Sequence, residues 1–141
     1  MEQPMNIARD TDTQRMSTSN RGKIARRMGI LAERATLWLL WFRGWDLVAW
    51  RQKVGRYELD LLVTRGCDLR LIEVKARKSG AWVGADTALT KQQRLRLQRA
   101  LQQWLDQIPW PEKITFQRVS WSGIRCRFHL AENWESLKIQ R

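Results

Sequence analysis

Two short charged motifs set inside apolar runs constrain this chain more than any other feature. Glu58-Leu59-Asp60 leads into Leu61-Leu62-Val63, and Glu73-Val74-Lys75 follows a run holding Leu69, Leu71 and Ile72. Runs of this kind read as strands, in which side chains two apart share a face. Glu58 and Asp60 then share one face, as do Glu73 and Lys75. Charges among such neighbours are costly unless they pair or bind a cation. Between the runs, Arg65-Gly66-Cys67-Asp68 has the composition of a hairpin turn. A hairpin there brings Asp60 and Glu73 together as oxygen donors for a hard divalent cation, most naturally Mg2+ with Mn2+ as a substitute. Lys75 lies beside them, placed to orient a water or to offset phosphate charge. The plainer reading of the second motif is a half-exposed strand with a surface Glu–Lys pair.

The rest of the chain supplies a frame. Residues 30–43 carry Ile30, Leu31, Leu37, Trp38, Leu40 and Trp41 at helical spacing, with Gly44 as the stop and Glu33 in the first turns. Strands are expected over Trp45–Trp50, Tyr57–Thr64 and Leu69–Lys75, and a Gly- and Ala-rich loop over 77–90. A second helix, Lys91–Ile108, ends at Pro109 and Pro111, and two strands follow over Ile114–Ser120 and Ile124–Leu130. The expected architecture is α/β, order αβββαββ, a mixed central sheet flanked by helices. Residues 1–20 read as a flexible leader and 21–141 as a single domain.

Charge narrows the partners. The 141 residues carry a net +12. In the first twenty, Arg9 and Arg15 against Glu2, Asp10 and Asp12 leave −1, so the remainder holds +13. A basic domain suits nucleic acid or anionic lipid. Two cysteines and one histidine exclude a disulfide scaffold and a closed zinc site. The most apolar stretch, Ala35 to Phe42, is far short of the roughly 20 residues that cross a bilayer. No apolar centre marks the first twenty residues as a secretory signal. The expectation is a cytoplasmic chain, nucleoid association being one option, with no membrane insertion.

Residues 29–105 resemble the UPF0102, or YraN-like, family of the PD-(D/E)XK nuclease-like superfamily. The family's Gly-x-x-Gly/Ala-Glu helix start is matched by Gly29, Ala32 and Glu33, and its Gly-Glu-Ile-Asp-Leu-Ile signature resembles Tyr57 to Leu62. Its Val-Glu-Val-Lys-x-Arg signature resembles Ile72 to Arg77, and its later lysine, alanine and leucine resemble Lys91, Ala100 and Leu105. Tyr57 replaces the signature glycine, and Thr115-Phe116-Gln117 stands where the family has Arg-Phe-Asp. Archaeal Holliday-junction resolvases are similar in size and basic character.

The resemblance implies a restriction-endonuclease-like core and metal-assisted phosphodiester hydrolysis, DNA ahead of RNA, with branched or flapped substrates among the candidates. It adds Glu33 to Asp60 and Glu73 as a catalytic and metal-holding residue, with the main-chain carbonyl of Val74 as a further donor. Lys75 would steer the water or steady the transition state. Glu58 would support Asp60 from behind or simply face solvent. Arg77, Lys78, Lys91, Arg94 and Arg99 are candidate phosphate contacts. Trp82 would stack on an exposed base or anchor its loop. Small resolvase-like domains often act as homodimers, so a second copy is a candidate partner. The runner-up function is a non-catalytic nucleic-acid-binding protein that keeps the fold. A third reading, a membrane-surface or partner-binding protein, needs basic and aromatic side chains on one convex face away from Asp60.

Overall fold

The computed structural model describes residues 7–77, 89–109 and 111–138. Apolar residues on both faces of the middle strands require cover on both sides, and two helices provide it. The elements are α1 (Ile7–Phe42), β1 (Asp46–Val54), β2 (Tyr57–Arg65), β3 (Asp68–Arg77), α2 (Lys91–Leu105), β4 (Lys113–Ser122), β5 (Arg125–Phe128) and β6 (Glu132–Asn133), followed by a 3-10 turn at Glu135–Lys138. The sheet order is β1-β2-β3-β4-β5, with β6 also on β4. β1, β2 and β3 form an antiparallel meander, Gly66 turning β2 into β3 at φ +60°. β3 and β4 run parallel, which requires a crossover connection, and α2 lies in it. The α/β class, the mixed sheet and the αβββαββ order are as the sequence predicts.

Alternation along the strands sorts the core into two layers. Leu62, Leu71 and Phe116 pack with Leu101 and Leu105 of α2 and with Trp134. Leu61, Val63, Ile72, Val74 and Val119 pack with Ala32 and Leu40 of α1 and with Trp45. Thr90 caps α2 reciprocally with Gln93.

Several boundaries differ from the sequence reading. α1 starts at Ile7, so residues 7–20, read as leader, continue the helix read over 30–43; neither proline nor glycine interrupts the chain between Pro4 and Gly22. α2 stops at Leu105, because Pro109 disfavours helical backbone at Ile108. β5 has four residues, and β6 with the 3-10 turn is an addition. That addition buries Trp134, whose ring stacks on Phe116 at 4.6 Å. Trp38 and Trp41, apolar positions of the predicted helix, lie on the outer side of α1 and are exposed rather than in the core. Among the described residues no helix is long and apolar enough to cross a membrane.

Candidate metal and phosphate site

The sheet forks at the two charged motifs. Pairing of β2 with β3 runs from Arg65↔Asp68 to Leu61↔Ile72 and stops. β2 stays with β1 as far as Tyr57, and β3 stays with β4 as far as Arg77. Asp60 and Glu73 are therefore the first residues beyond the last rung, one on each prong. Leu59 belongs to the α2-side core and Leu61 to the α1-side core, so strand alternation slips at Asp60. Its carboxylate replaces the missing rung: Oδ2 accepts the Val74 N–H at 2.9 Å.

Two carboxylates act on a third here. Burial, then the charge of Glu73, push the Asp60 carboxyl up to about 8; Glu33 adds to this, while the Val74 N–H and Lys75 oppose it. Asp60 is thus short of compensating positive charge. Lys75 Nζ lies 3.3 Å from Glu73 Oε1 with its side chain about half exposed.

Glu33 is in the opposite condition. It is only 5% exposed, on the inward face of α1. Its Oε2 accepts Trp50 Nε1 at 2.7 Å and Arg51 Nε at 2.8 Å, and its Oε1 accepts the second Arg51 nitrogen at 3.2 Å. Consecutive strand residues normally point to opposite faces, yet Trp50 and Arg51 reach the same carboxylate. The backbone explains this: Arg51 sits at φ +51°, left-handed geometry that costs a non-glycine residue about 1–2 kcal/mol.

β4 brings a second group of side chains. Parallel register sets Arg118 beside Glu73 and Ser120 beside Lys75. Arg118 is buried to 7% exposure, and burial lowers its pKa while Glu73 raises it. Ser120 Oγ is 2.8 Å from His129 Nε2. Burial, Arg118 and Arg127 all push the His129 pKa down, so the ring is neutral at pH 7.

The candidate residues divide clearly. Asp60, Glu73, Val74 and Lys75 come together at the fork, and Glu33 reaches them from α1. Glu58 is exposed and sits opposite Lys53. Lys91, Arg99 and Arg77 are exposed, whereas Arg94 holds Glu132 through two hydrogen bonds of 2.6 and 2.9 Å. Lys78 and Trp82 lie outside the described residues. Sequence reading missed Trp50, Arg51, Arg118, Ser120 and His129 as site neighbours; the only local hint was that strand-like spacing carries arginine at 118 and 51. Among the described residues no three His, Cys, Asp or Glu side chains cluster closely enough to form a metal cage.

Comparison with known proteins agrees with this frame. The model of the uncharacterised protein family UPF0102 matches residues 32–132, which include all the fork residues and reach past Leu105 through β5. A UPF0102 protein of Parvibaculum lavamentivorans is 38% identical over 115 residues, 80% of this chain and 85% of that one. One from Methylocella silvestris is 31% identical over 109 residues, 77% and 80% of the two chains. One from Sorangium cellulosum is 35% identical over 107 residues, 75% and 68%. With a family match over most of its length and relatives this similar, the chain belongs to the UPF0102 family.

Proposed function

We propose that the protein is a metal-dependent phosphodiester hydrolase of the PD-(D/E)XK type, an endonuclease-like enzyme acting on DNA, branched or flapped forms included. The observation that carries this reading is the fork itself, where Asp60 and Glu73 meet in a setting that holds the Asp60 carboxyl at about 8. An Asp60 carboxylate short of compensating charge suits a small hard cation. The donors fit Mg2+, which keeps several waters and needs only one or two protein carboxylates, so a three-residue cage is not required. Asp60, Glu73 and the Val74 carbonyl would hold it, with Glu33 supplying negative field rather than a bond while Arg51 occupies both its oxygens. A cation so held lowers the pKa of a bound water and polarises the scissile phosphate. Lys75, exposed at the mouth, donates a hydrogen bond to the attacking water or to a phosphate oxygen. Ser120 on β4, with His129 from the end of β5 against it, would offer hydrogen bonds to an adjacent phosphate. Exposed Arg77, Lys91 and Arg99 contribute to backbone affinity. On this reading the expected location is the cytoplasm, with nucleoid association as one option, and a second copy is a candidate partner whose presence sedimentation reads directly.

One observation favours the runner-up, a non-catalytic nucleic-acid-binding protein: Glu33 is already neutralised by Arg51. Calorimetry separates the two. Wild type should bind Mg2+ at low salt, with and without DNA, and Asp60→Ala and Glu73→Ala should each lose it; linear, flapped and four-way DNA should then be cut only by the wild type. DNA binding without metal binding under either condition would transfer the assignment to the binder.

A further inference from the structure

The outer side of α1 carries a feature that phosphate hydrolysis does not use. Trp38, Trp41 and Phe42 are 63%, 57% and 75% exposed. They touch one another, with ring centroids 5.9 Å apart for Trp38–Trp41 and 5.4 Å for Trp41–Phe42, both edge to face. Scattered apolar residues are normal on a surface, but three adjoining large rings mark an interaction site. Beside them a groove of about 390 Å³ runs between α1 and β1, lined by Arg34, Leu37, Trp38, Trp41, Trp45 and Leu47.

This groove has an address. The Arg34 guanidinium lies 5.7 Å from the Trp50 ring centroid, and Trp50 donates its Nε1–H to Glu33. The seam between α1 and β1 therefore leads from the aromatic groove to the carboxylates of the fork. Cations accompany it: Arg65 covers the Trp45 ring at 4.5 Å and Arg43 lies over Phe128, while Arg70, at 4.4 Å from the Trp45 ring, is held by Asp68. Among the described residues no acid lines the groove.

We infer that this groove is a stacking subsite for unpaired nucleobases of a single-stranded segment leading to the site, an inference that rests on the proposed phosphodiesterase reading. Rings exposed beside arginines match what a single strand presents, π-faces alternating with phosphates. Duplex DNA hides its base faces and cannot use the rings. A second copy seated on the groove would set its own arginines against these, with no lining acid to offset them. A lipid surface would use the rings and the charge, but not the seam that connects them to Glu33. The subsite selects substrates with an unpaired strand next to the scissile phosphate, such as flaps and splayed junction arms.

The test uses full-length protein at low salt with EDTA, a labelled dT15 oligonucleotide and a duplex of equal length. Because Trp38 and Trp41 are exposed, Trp38→Ala and Trp41→Ala should fold normally, which circular dichroism verifies. Each should weaken dT15 binding roughly tenfold, leave duplex binding within twofold and, in a separate titration without EDTA, leave Mg2+ binding unchanged. Trp41→Phe should restore most of the affinity. Equal loss on dT15 and duplex, or no loss on either, overturns the inference. So does dissociation of a wild-type dimer by Trp41→Ala, or Trp-dependent binding to anionic phosphatidylglycerol vesicles in preference to dT15. If the inference fails while Asp60→Ala still abolishes Mg2+ binding, the hydrolase reading stands alone. If wild type binds neither nucleic acid nor Mg2+, both fall.

Discussion

Glu33 and Asp60 are two acids of one cluster that the fold treats in opposite ways. Glu33 is deeply buried but receives an indole N–H and both arms of a guanidinium. Asp60 lies at the open fork with one backbone N–H on its oxygen, and its carboxyl is pushed up to about 8. Burial alone does not make a site. The difference lies in who supplies the positive charge: at Glu33 the chain provides its own, at the expense of left-handed backbone at Arg51, and Glu73 has Arg118 and Lys75 beside it, whereas Asp60 has only the Val74 N–H and the charge of a half-exposed Lys75 acting to hold its carboxyl down. An acid neutralised internally is structural, and an acid left short of charge is a candidate for an external cation.

The largest expected effect comes from undoing the internal neutralisation. Arg51→Ala leaves a buried carboxylate without its cation and should cost about 3 kcal/mol, the lower part of the range for broken buried pairs, since Arg51 keeps 27% exposure. Adding Glu33→Gln should recover most of that loss, giving a strongly non-additive cycle in urea denaturation. Additive losses would mean that the pair is not coupled and that the contrast with Asp60 is wrong.

External neutralisation comes next. Mg2+ at a hundredfold excess over its dissociation constant should stabilise wild type by about 2.7 kcal/mol, seen as a rise in melting temperature. Asp60→Asn should abolish that rise and Arg51→Ala/Glu33→Gln should keep it. A rise that survives Asp60→Asn would move the cation away from the fork.

A smaller effect follows from Asp60 in the metal-free protein. Its folded value, about 8, exceeds the ordinary 3.8, so between those values the folded state holds the proton that the unfolded state has released. Stability from this group is therefore full below about pH 4, falls as pH rises toward 8, and then levels off. Asp60→Asn lacks the penalty and should be the more stable protein at pH 9, with no advantage at pH 4. Parallel melting curves against pH would refute the assignment.

The same contrast explains what could be read in advance. Asp60, Glu73 and Lys75 stood out because a two-residue period makes a charge inside an apolar strand conspicuous, and the turn at Gly66 made their pairing local. α2 was legible from its spacing and from Thr90 and Pro109. Arg51 was not: its role depends on one left-handed residue in an edge strand, which no local pattern announces. Arg118 and Ser120 enter through parallel pairing of β4 with β3, a contact between segments separated by a helix and set by the crossover, and His129 follows from the end of β5. Trp134 belongs to the core only because β6 folds back onto Phe116. Trp38 and Trp41 matched a core pattern that the helix turns outward, because its inward side is already filled by Ala32, Thr36 and Leu40.

The weakest effects test the same rule on the surface. Arg94 and Arg99 are both bases of α2, but Arg94 is held by Glu132 while Arg99 stands exposed. An ion pair whose side chains are 41% and 36% exposed is worth at most about 1 kcal/mol. Arg94→Ala should therefore lower stability by less than about 1 kcal/mol and hardly change duplex affinity, its charge being already matched. Arg99→Ala should leave stability alone, weaken DNA binding, and reduce the slope of log affinity against log salt by about 0.9, one phosphate contact. If Arg94→Ala gives the larger change in slope, Glu132 yields its partner to DNA on binding. Internal pairing would then be an exchangeable reserve of charge at the surface, unlike the pair that locks Glu33.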